Sequence, residues 1–183
     1  MGRHRVRFLP STVFRIGRQE HAKTAREALS GEGGLHDSGR WHSRGRRILY
    51  TSQSIALCKL ERLAHGDEWI GDASHDRVTL AISLPPGLSF VTIWPDALDH
   101  EDPTWRSEGN RYCRNLGDAW LARAKTCSLV VPSAVVPDEW NILFNPDHAE
   151  FAQILAVNRG LTGRPFVVDP RVAQLVRKTG KKP

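Results

Sequence analysis

Hydrophobic positions along this chain follow two spacings. Val78, Leu80, Ile82 and Leu84 alternate with other residues at the period of a half-buried strand, and Pro85-Pro86-Gly87 stops the run. Short apolar runs at Val13 to Ile16, Val91 to Trp94, Ser128 to Val131, Asn141 to Phe144, Ile154 to Val157 and Phe166 to Val168 predict further strands. Arg40 to His42 and Arg47 to Thr51 predict two more, joined by the polar turn Ser43-Arg44-Gly45-Arg46. Helical spacing takes over at Ala56, Leu57, Leu60, Leu63 and Ala64, in a segment that Ser52 or Ser54 can cap and Gly66 can end. A second helix is predicted from about Asn110 to Ala124, with Cys113, Leu116 and Trp120 on one stripe. Residues 20 to 30 are moderately helical, and Val172 to Val176 predicts a closing helix. Gly31 to Gly39, with four glycines in nine residues, predicts a mobile loop, and residues 95 to 108 a long polar one.

Strands and helices do not alternate steadily, which favours an α+β domain with a bent or split, mixed or antiparallel sheet and flanking helices over a doubly wound parallel sheet. The 183 residues suit one domain, 1–183, with a core of about 12–170 and basic ends. Hydrophobic residues make up 40% and charged residues 25%, an ordinary globular balance. No apolar run approaches the roughly 20 residues of a membrane span, and Phe8-Leu9-Pro10 is too short for the apolar part of a signal peptide. The expectation is a cytoplasmic protein with no membrane contact. Cys58, Cys113 and Cys127 are widely spaced and form no Cys-x-x-Cys pair, and the histidines show no His-Glu-x-x-His spacing, so no metal is predicted. Cys58 and Cys113 read as small buried hydrophobes. A net charge of +6, with clusters at Arg3, His4, Arg5, Arg7 and at Arg177, Lys178, Lys181, Lys182, fits a nucleic acid, an acidic partner or a phosphate-bearing ligand.

Candidate chemistry concentrates in Gly39-Arg40-Trp41, Leu49-Tyr50-Thr51 and Leu60-Glu61, which space an arginine, a tyrosine and a glutamate by 10 and 11 residues. An arginine binds phosphate bidentately, an aromatic ring stacks on a flat heterocycle, and a carboxylate steadies a cationic sugar. Arg15 projects from the first strand as a second phosphate ligand. Glu61 falls roughly 100° from the centre of its helix's apolar face, at the edge of a cleft rather than in the core. The set suits a protein that grips NAD and breaks its bond to nicotinamide. Without a Gly-x-Gly-x-x-Gly after a strand, NAD would not be held as a Rossmann fold holds it. Ser133, at the exit of a buried strand, lacks the Gly-x-Ser-x-Gly of a nucleophile elbow and reads as a hydroxyl that bonds ligand or positions Glu61. Asn145 reads as a turn former or a polar wall of the same cleft.

At these residues the chain resembles the RES-domain toxins of bacterial Xre–RES toxin–antitoxin pairs. The arginine, glutamate and serine that name the family match Arg40, Glu61 and Ser133, and its tyrosine matches Tyr50. Similarity runs through Phe14-Arg15-Ile16, Ser38-Gly39-Arg40-Trp41, Ile48-Leu49-Tyr50-Thr51-Ser52, Leu60-Glu61-Arg62-Leu63-Ala64-His65, Leu116-Gly117-Asp118-Ala119-Trp120-Leu121, Val131-Pro132-Ser133-Ala134-Val135-Val136-Pro137 and Asn141-Ile142-Leu143-Phe144-Asn145-Pro146. The resemblance implies an ADP-ribosyltransferase-like fold and attack on NAD as substrate, by hydrolysis, phosphorolysis or ADP-ribosyl transfer to a protein. It places Arg40, Tyr50, Glu61 and Ser133 in catalysis, and Arg15, Gly39, Arg40, Trp41, Tyr50, Ser133 and Asn145 around the dinucleotide. It also implies an Xre-like antitoxin as partner, with DNA bound only through the complex.

One departure stands out: the family continues Arg-Trp with Asn-Pro-Pro-Gly, whereas this chain has His42-Ser43-Arg44-Gly45. Two other functions compete on the residues alone. A ribonuclease toxin would use His42 and His65 as acid and base. A non-catalytic nucleic-acid-binding module would use the charged ends and the tryptophans.

Overall fold

The alternating run at Arg77–Ser83 becomes a seven-residue strand of a mixed sheet, and the apolar runs around it supply its neighbours. The computed structural model describes residues 9–64, 76–169 and 171. His65, Gly66, the terminal basic clusters and the closing helix expected at Val172 to Val176 lie outside the described residues. β1 (Thr12–Arg18) and β3 (Arg77–Ser83) pair antiparallel along their whole lengths, from Thr12↔Ser83 to Arg18↔Arg77, and β7 (Arg164–Pro165) adds to the far edge of β3. On the other side, β2 (Leu49–Ser52) pairs antiparallel with β6 (Trp140–Phe144), and β6 with β5 (Ser128–Pro132). β4 (Phe90–Thr92) closes that edge, parallel to β5. The order is β4-β5-β6-β2-β1-β3-β7. The two halves meet between β1 and β2, and the registered pairing there is Phe14↔Ser52 alone. The expected α+β domain is what the chain forms, with its split at this junction.

Helices cover both faces. α1 (Ala25–Ala28) and α6 (Phe151–Val157) bring Ala28, Phe151 and Ile154 onto Val13, Leu49, Leu80, Ile82, Val130, Ile142 and Phe144. Because side chains alternate along a strand, Leu129, Val131 and Leu143 face the opposite way. There they meet Leu98 of α4 (Pro95–Glu101), Cys113 and Trp120 of α5 (Arg111–Arg123), and Trp41 and Trp105. α3 (Ile55–Ala64) begins at Ser54, whose hydroxyl accepts the Leu57 N–H at 3.0 Å, one of the two caps expected. It packs Cys58 against Ile16 and Phe166. All three cysteines are buried and free.

Several expectations need correction. Ile154 to Val157 is not a strand but the end of α6, where only Phe151 and Ile154, three apart, are buried. Within the supposed loop of 95 to 108, Pro95 starts α4 at a position where a missing N–H costs nothing, and Leu98 anchors it. The last strand lies at Arg164–Pro165 rather than at Phe166 to Val168, although the Phe166 N–H still donates to Arg77 O. Arg40 to His42 forms a tight turn closed by a Gly39↔His42 bridge. The glycine-rich stretch is pinned rather than loose: it contains α2 (Gly33–His36), and Gly34 O accepts the N–H groups of Gly45 and Arg46. α3 is also rotated from expectation. Leu57 and Cys58 are buried while Ala56, Leu60 and Ala64 are exposed, so the buried stripe leads through Leu57 directly to Glu61.

Gly117 sets how closely α5 lies on the turn carrying Arg40 and Trp41, because a Cβ there would overlap the Trp41 carbonyl. Alanine normally gains about 1 kcal/mol over glycine inside a helix. Gly117→Ala is expected instead to lose about 2–3 kcal/mol of stability, since backbone must move to admit the methyl group. The urea midpoint measures this, and a raised midpoint would mean that the approach is not tight.

Candidate active site

The split between β1 and β2 opens into a cavity of about 280 Å³, lined by Arg15, Gly39, Arg40, Trp41, Tyr50 and Glu61 together with Ser52, Cys58, Arg62 and Asn141. Three backbone elements therefore bring positions 40, 50 and 61 to one hollow. β2 supplies Tyr50 and Ser52 to its floor, and Asn141, opposite Ser52 in the ladder, shares their face. α3 supplies Glu61 and Arg62 one turn after its buried start, and the turn before β2 supplies Gly39 to Trp41.

Glu61 is fixed by two donors on one oxygen. The Ser133 hydroxyl donates to Oε1 at 2.7 Å and the Asn141 amide at 2.6 Å. The direction of the serine proton follows from its other bonds. Ser133 Oγ already accepts the Val135 and Val136 N–H groups at 3.0 and 2.9 Å, so its single proton is left for the carboxylate. Ser52 donates to Asn141 Oδ1 at 2.7 Å, which turns the Asn141 amide towards Glu61. Among the described residues no hydrogen bond falls on Oε2. Ser133 therefore positions Glu61, one of the two roles read for it.

The two arginines differ. Arg15 is half-buried where β1 and β2 part, and Nη1 donates to Tyr50 O at 3.1 Å. Burial presses its pKa below the ordinary arginine value, and the nearby Arg62 charge adds to that. No carboxylate lies within ion-pair distance of Arg15 among the described residues, so this is a cation that an entering anion would relieve. Arg40 lines the cavity, but its guanidinium donates to the carbonyls of Trp105, Ser107 and Arg106 at 2.6, 2.7 and 3.1 Å. It braces the 105–107 wall, and Trp105 is fully buried behind it.

Tyr50 presents its ring to the cavity while its hydroxyl is tied back. Oη accepts the Trp41 N–H at 3.2 Å and lies 2.9 Å from His42 Nδ1. Burial raises the phenol pKa well above its ordinary value, so it stays protonated. Gly39 is required here, since a Cβ would come within 2.7 Å of Tyr50 Oη and 2.8 Å of the His42 ring.

Asn145 is not brought to the cavity. It sits just past the far end of β6 from Asn141, where its Oδ1 accepts the Asp147 N–H at 3.0 Å in a tight turn, so its dinucleotide-wall role is replaced by turn formation. Asn141 and Ser52 are the polar residues that the sequence reading passed over. Their signal was slight, an amide heading an apolar strand and a serine taken for a helix cap. The ribonuclease pair is not assembled by the described residues: His42 is 4% exposed with both ring nitrogens engaged, and His65 lies outside them. Trp41, Trp105 and Trp120 are buried, and the half-buried Trp94 and Trp140 pack edge to face on each other at 5.4 Å between centroids. Cys127, His148 and Glu150 bring potential metal-ligand atoms within 4.8 Å of one another. Glu150 Oε2 accepts from Ser89, and His148 Nδ1 accepts the Glu150 N–H. Burial pushes the Cys127 thiol up to about 12, and the Glu150 charge adds to the rise. No helix among the described residues is long and apolar enough to cross a membrane.

Residues 12–169 match the RES domain family. The chain is 37% identical to a protein named Toxin Res from Pseudomonas putida, over 67% of this chain and 80% of that one. It is 30% identical to a Toxin Res from Photorhabdus laumondii, over 88% and 97%. It is 32% identical to the Prs ADP-ribosylating toxin of a Sphingobium species, over 79% and 86%. The fold resembles a chain in the crystal structure of the Mycobacterium tuberculosis MbcT–MbcA toxin–antitoxin complex, with a TM-score of 0.63 and 16% identity over 93% of this chain and 91% of that one.

If Arg40 braces the 105–107 wall, Arg40→Lys should destabilise the protein by about 1–3 kcal/mol, because an ammonium cannot span three carbonyls as the planar fork does. Urea denaturation reads the difference. A midpoint equal to that of the parent chain would show that the wall holds itself.

Proposed function

The chain belongs to the RES domain family, and we propose that it is the toxin of a toxin–antitoxin pair that cleaves NAD at the nicotinamide–ribose bond. The observation that carries this reading is the Glu61 carboxylate, locked by Ser133 and Asn141 beside a hollow that also holds Arg15, a half-buried cation with no carboxylate at ion-pair distance among the described residues, and the aromatic Tyr50.

In the proposed reaction the pyrophosphate lies against Arg15 and the Arg40 edge, with Gly39 and Trp41 forming the adjoining wall, and nicotinamide stacks on Tyr50. As the bond from C1′ to the pyridinium nitrogen breaks, its electron pair neutralises the ring and nicotinamide leaves without needing a proton. Positive charge develops on the ribose, and Glu61 stabilises it through the oxygen that Ser133 and Asn141 do not occupy. Ser133 and Asn141 keep the carboxylate oriented, so little reorganisation is needed at the moment of reaction. Water, phosphate or a protein side chain then takes the ADP-ribose. No metal enters this scheme. A relative's name, ADP-ribosylating toxin, supports transfer to a protein as one outcome. The complex that contains the structural neighbour supports an antitoxin partner, which we take to be Xre-like, with DNA contacted through it.

The test is to incubate the purified chain with NAD, with and without phosphate and candidate proteins, and to weigh the products. Nicotinamide release is expected, and Glu61→Gln should lower its rate on the order of 10²- to 10³-fold. An unchanged rate in that variant would remove Glu61 from the mechanism. Intact NAD in every mixture would end the proposal.

A further inference from the structure

His42 directly follows Arg40-Trp41 in the turn before β2, and the structure holds its ring beside the cavity against Tyr50. The ring is 4% exposed and held from both ends. Nε2 lies 3.0 Å from Asp37 O, a group that can only accept, so Nε2 carries the proton. In the neutral ring Nδ1 is then a bare acceptor, and the Tyr50 hydroxyl 2.9 Å away donates to it. Trp41 N–H occupies the same hydroxyl from the other side. Position 34 is glycine, and a Cβ there would stand 2.9 Å from Nε2, so a larger residue would push on the ring.

We infer that His42 is a positioning residue for NAD cleavage: its bare Nδ1 fixes the proton and ring orientation of Tyr50, and protonation of His42 undoes that hold. The inference rests on the NAD reading given above. Once charged, Nδ1 becomes a donor, and Tyr50 Oη, already accepting from Trp41, must accept a second N–H and turn its own proton away. The surroundings set the direction of the titration. Burial lowers the His42 pKa below the ordinary 6.5, against the Asp37 carbonyl and the Asp118 carboxylate of α5, which raise it, while Arg114 of α5 lowers it further. Tyr50 itself stays neutral, and Arg40 is the other charge near it. Because the folded pKa is the lower one, the bond is intact above 6.5 and its loss grows as pH falls beneath that value.

Two measurements decide the matter. Nitrogen-15 NMR of histidine-labelled protein should show His42 at pH 7.5 as the Nε2-protonated tautomer, titrating below 6.5. The opposite tautomer, or an ordinary midpoint, overturns the inference whether or not NAD is cleaved. In the activity assay, kcat/KM of the parent chain should fall on the acid side in step with that titration. His42→Asn, whose Oδ1 can accept from Tyr50 without titrating, should keep most of the activity above pH 7 and lose that limb. His42→Ala should lose roughly tenfold or more in kcat/KM, chiefly through KM, as a misplaced stacking ring would. An unchanged acid limb in His42→Asn also overturns the inference. If the parent chain releases no nicotinamide at all, the NAD reading fails while the NMR result still decides the His42–Tyr50 bond.

Discussion

The junction between β1 and β2 governs the rest of the molecule. Paired antiparallel strands normally exchange bonds along their length, yet here the registered pairing is Phe14↔Ser52, and beyond it the backbone must find other partners. The Arg15 guanidinium takes the Tyr50 carbonyl, which puts a cation at the base of the opening. On one flank of the gap α3 presents Glu61, and on the other the turn at Gly39 to Trp41 is pressed down by α5 through Gly117. Closing the ladder would satisfy the same backbone groups but leave no hollow. The chain trades sheet regularity for a site.

Around that opening the side chains form two orienting chains. One runs from Ser52 through Asn141 to Glu61, with Ser133 converging on the same oxygen. The other runs from Trp41 through Tyr50 and His42 to the Asp37 carbonyl. In each, the acceptor-only groups at one end fix the directions of the protons along the chain. The turn of His42 to Arg46 is stiffened by α5. Ser43 donates to Asp118 of α5 through both its N–H and its hydroxyl, and Arg46 pairs with the same carboxylate at 3.0 Å.

Much of this was legible in the sequence. The alternation at Val78 to Leu84 located the strand on which β1 pairs, and the spacing of Arg40, Tyr50 and Glu61 identified three residues that do share a hollow. Misreadings have physical causes. A four-residue apolar run has no period of its own, so Ile154 to Val157 read as a strand although Phe151 one turn earlier completes a helical stripe. Glycines at 31 to 39 suggested looseness, but Gly34 is there because the Arg46 carbonyl and the His42 ring leave no room for a Cβ. Asn141 and Asn145 lie on the same strand parity and differ only in which end of β6 meets the gap, which a single sequence does not record. The bracing role of Arg40 was hidden because the carbonyls it holds lie 65 to 67 residues away.

The three thiols carry a consequence of their own. Cys58, Cys113 and Cys127 are all buried, and desolvation raises each pKa, to about 11 and 12 for the latter two. At neutral pH such sulfurs remain protonated and poorly nucleophilic, so alkylating agents and peroxide find little to attack. The architecture described here is therefore indifferent to the oxidation potential of its surroundings: it has no crosslink to lose under reductant and no ready thiolate from which to make one.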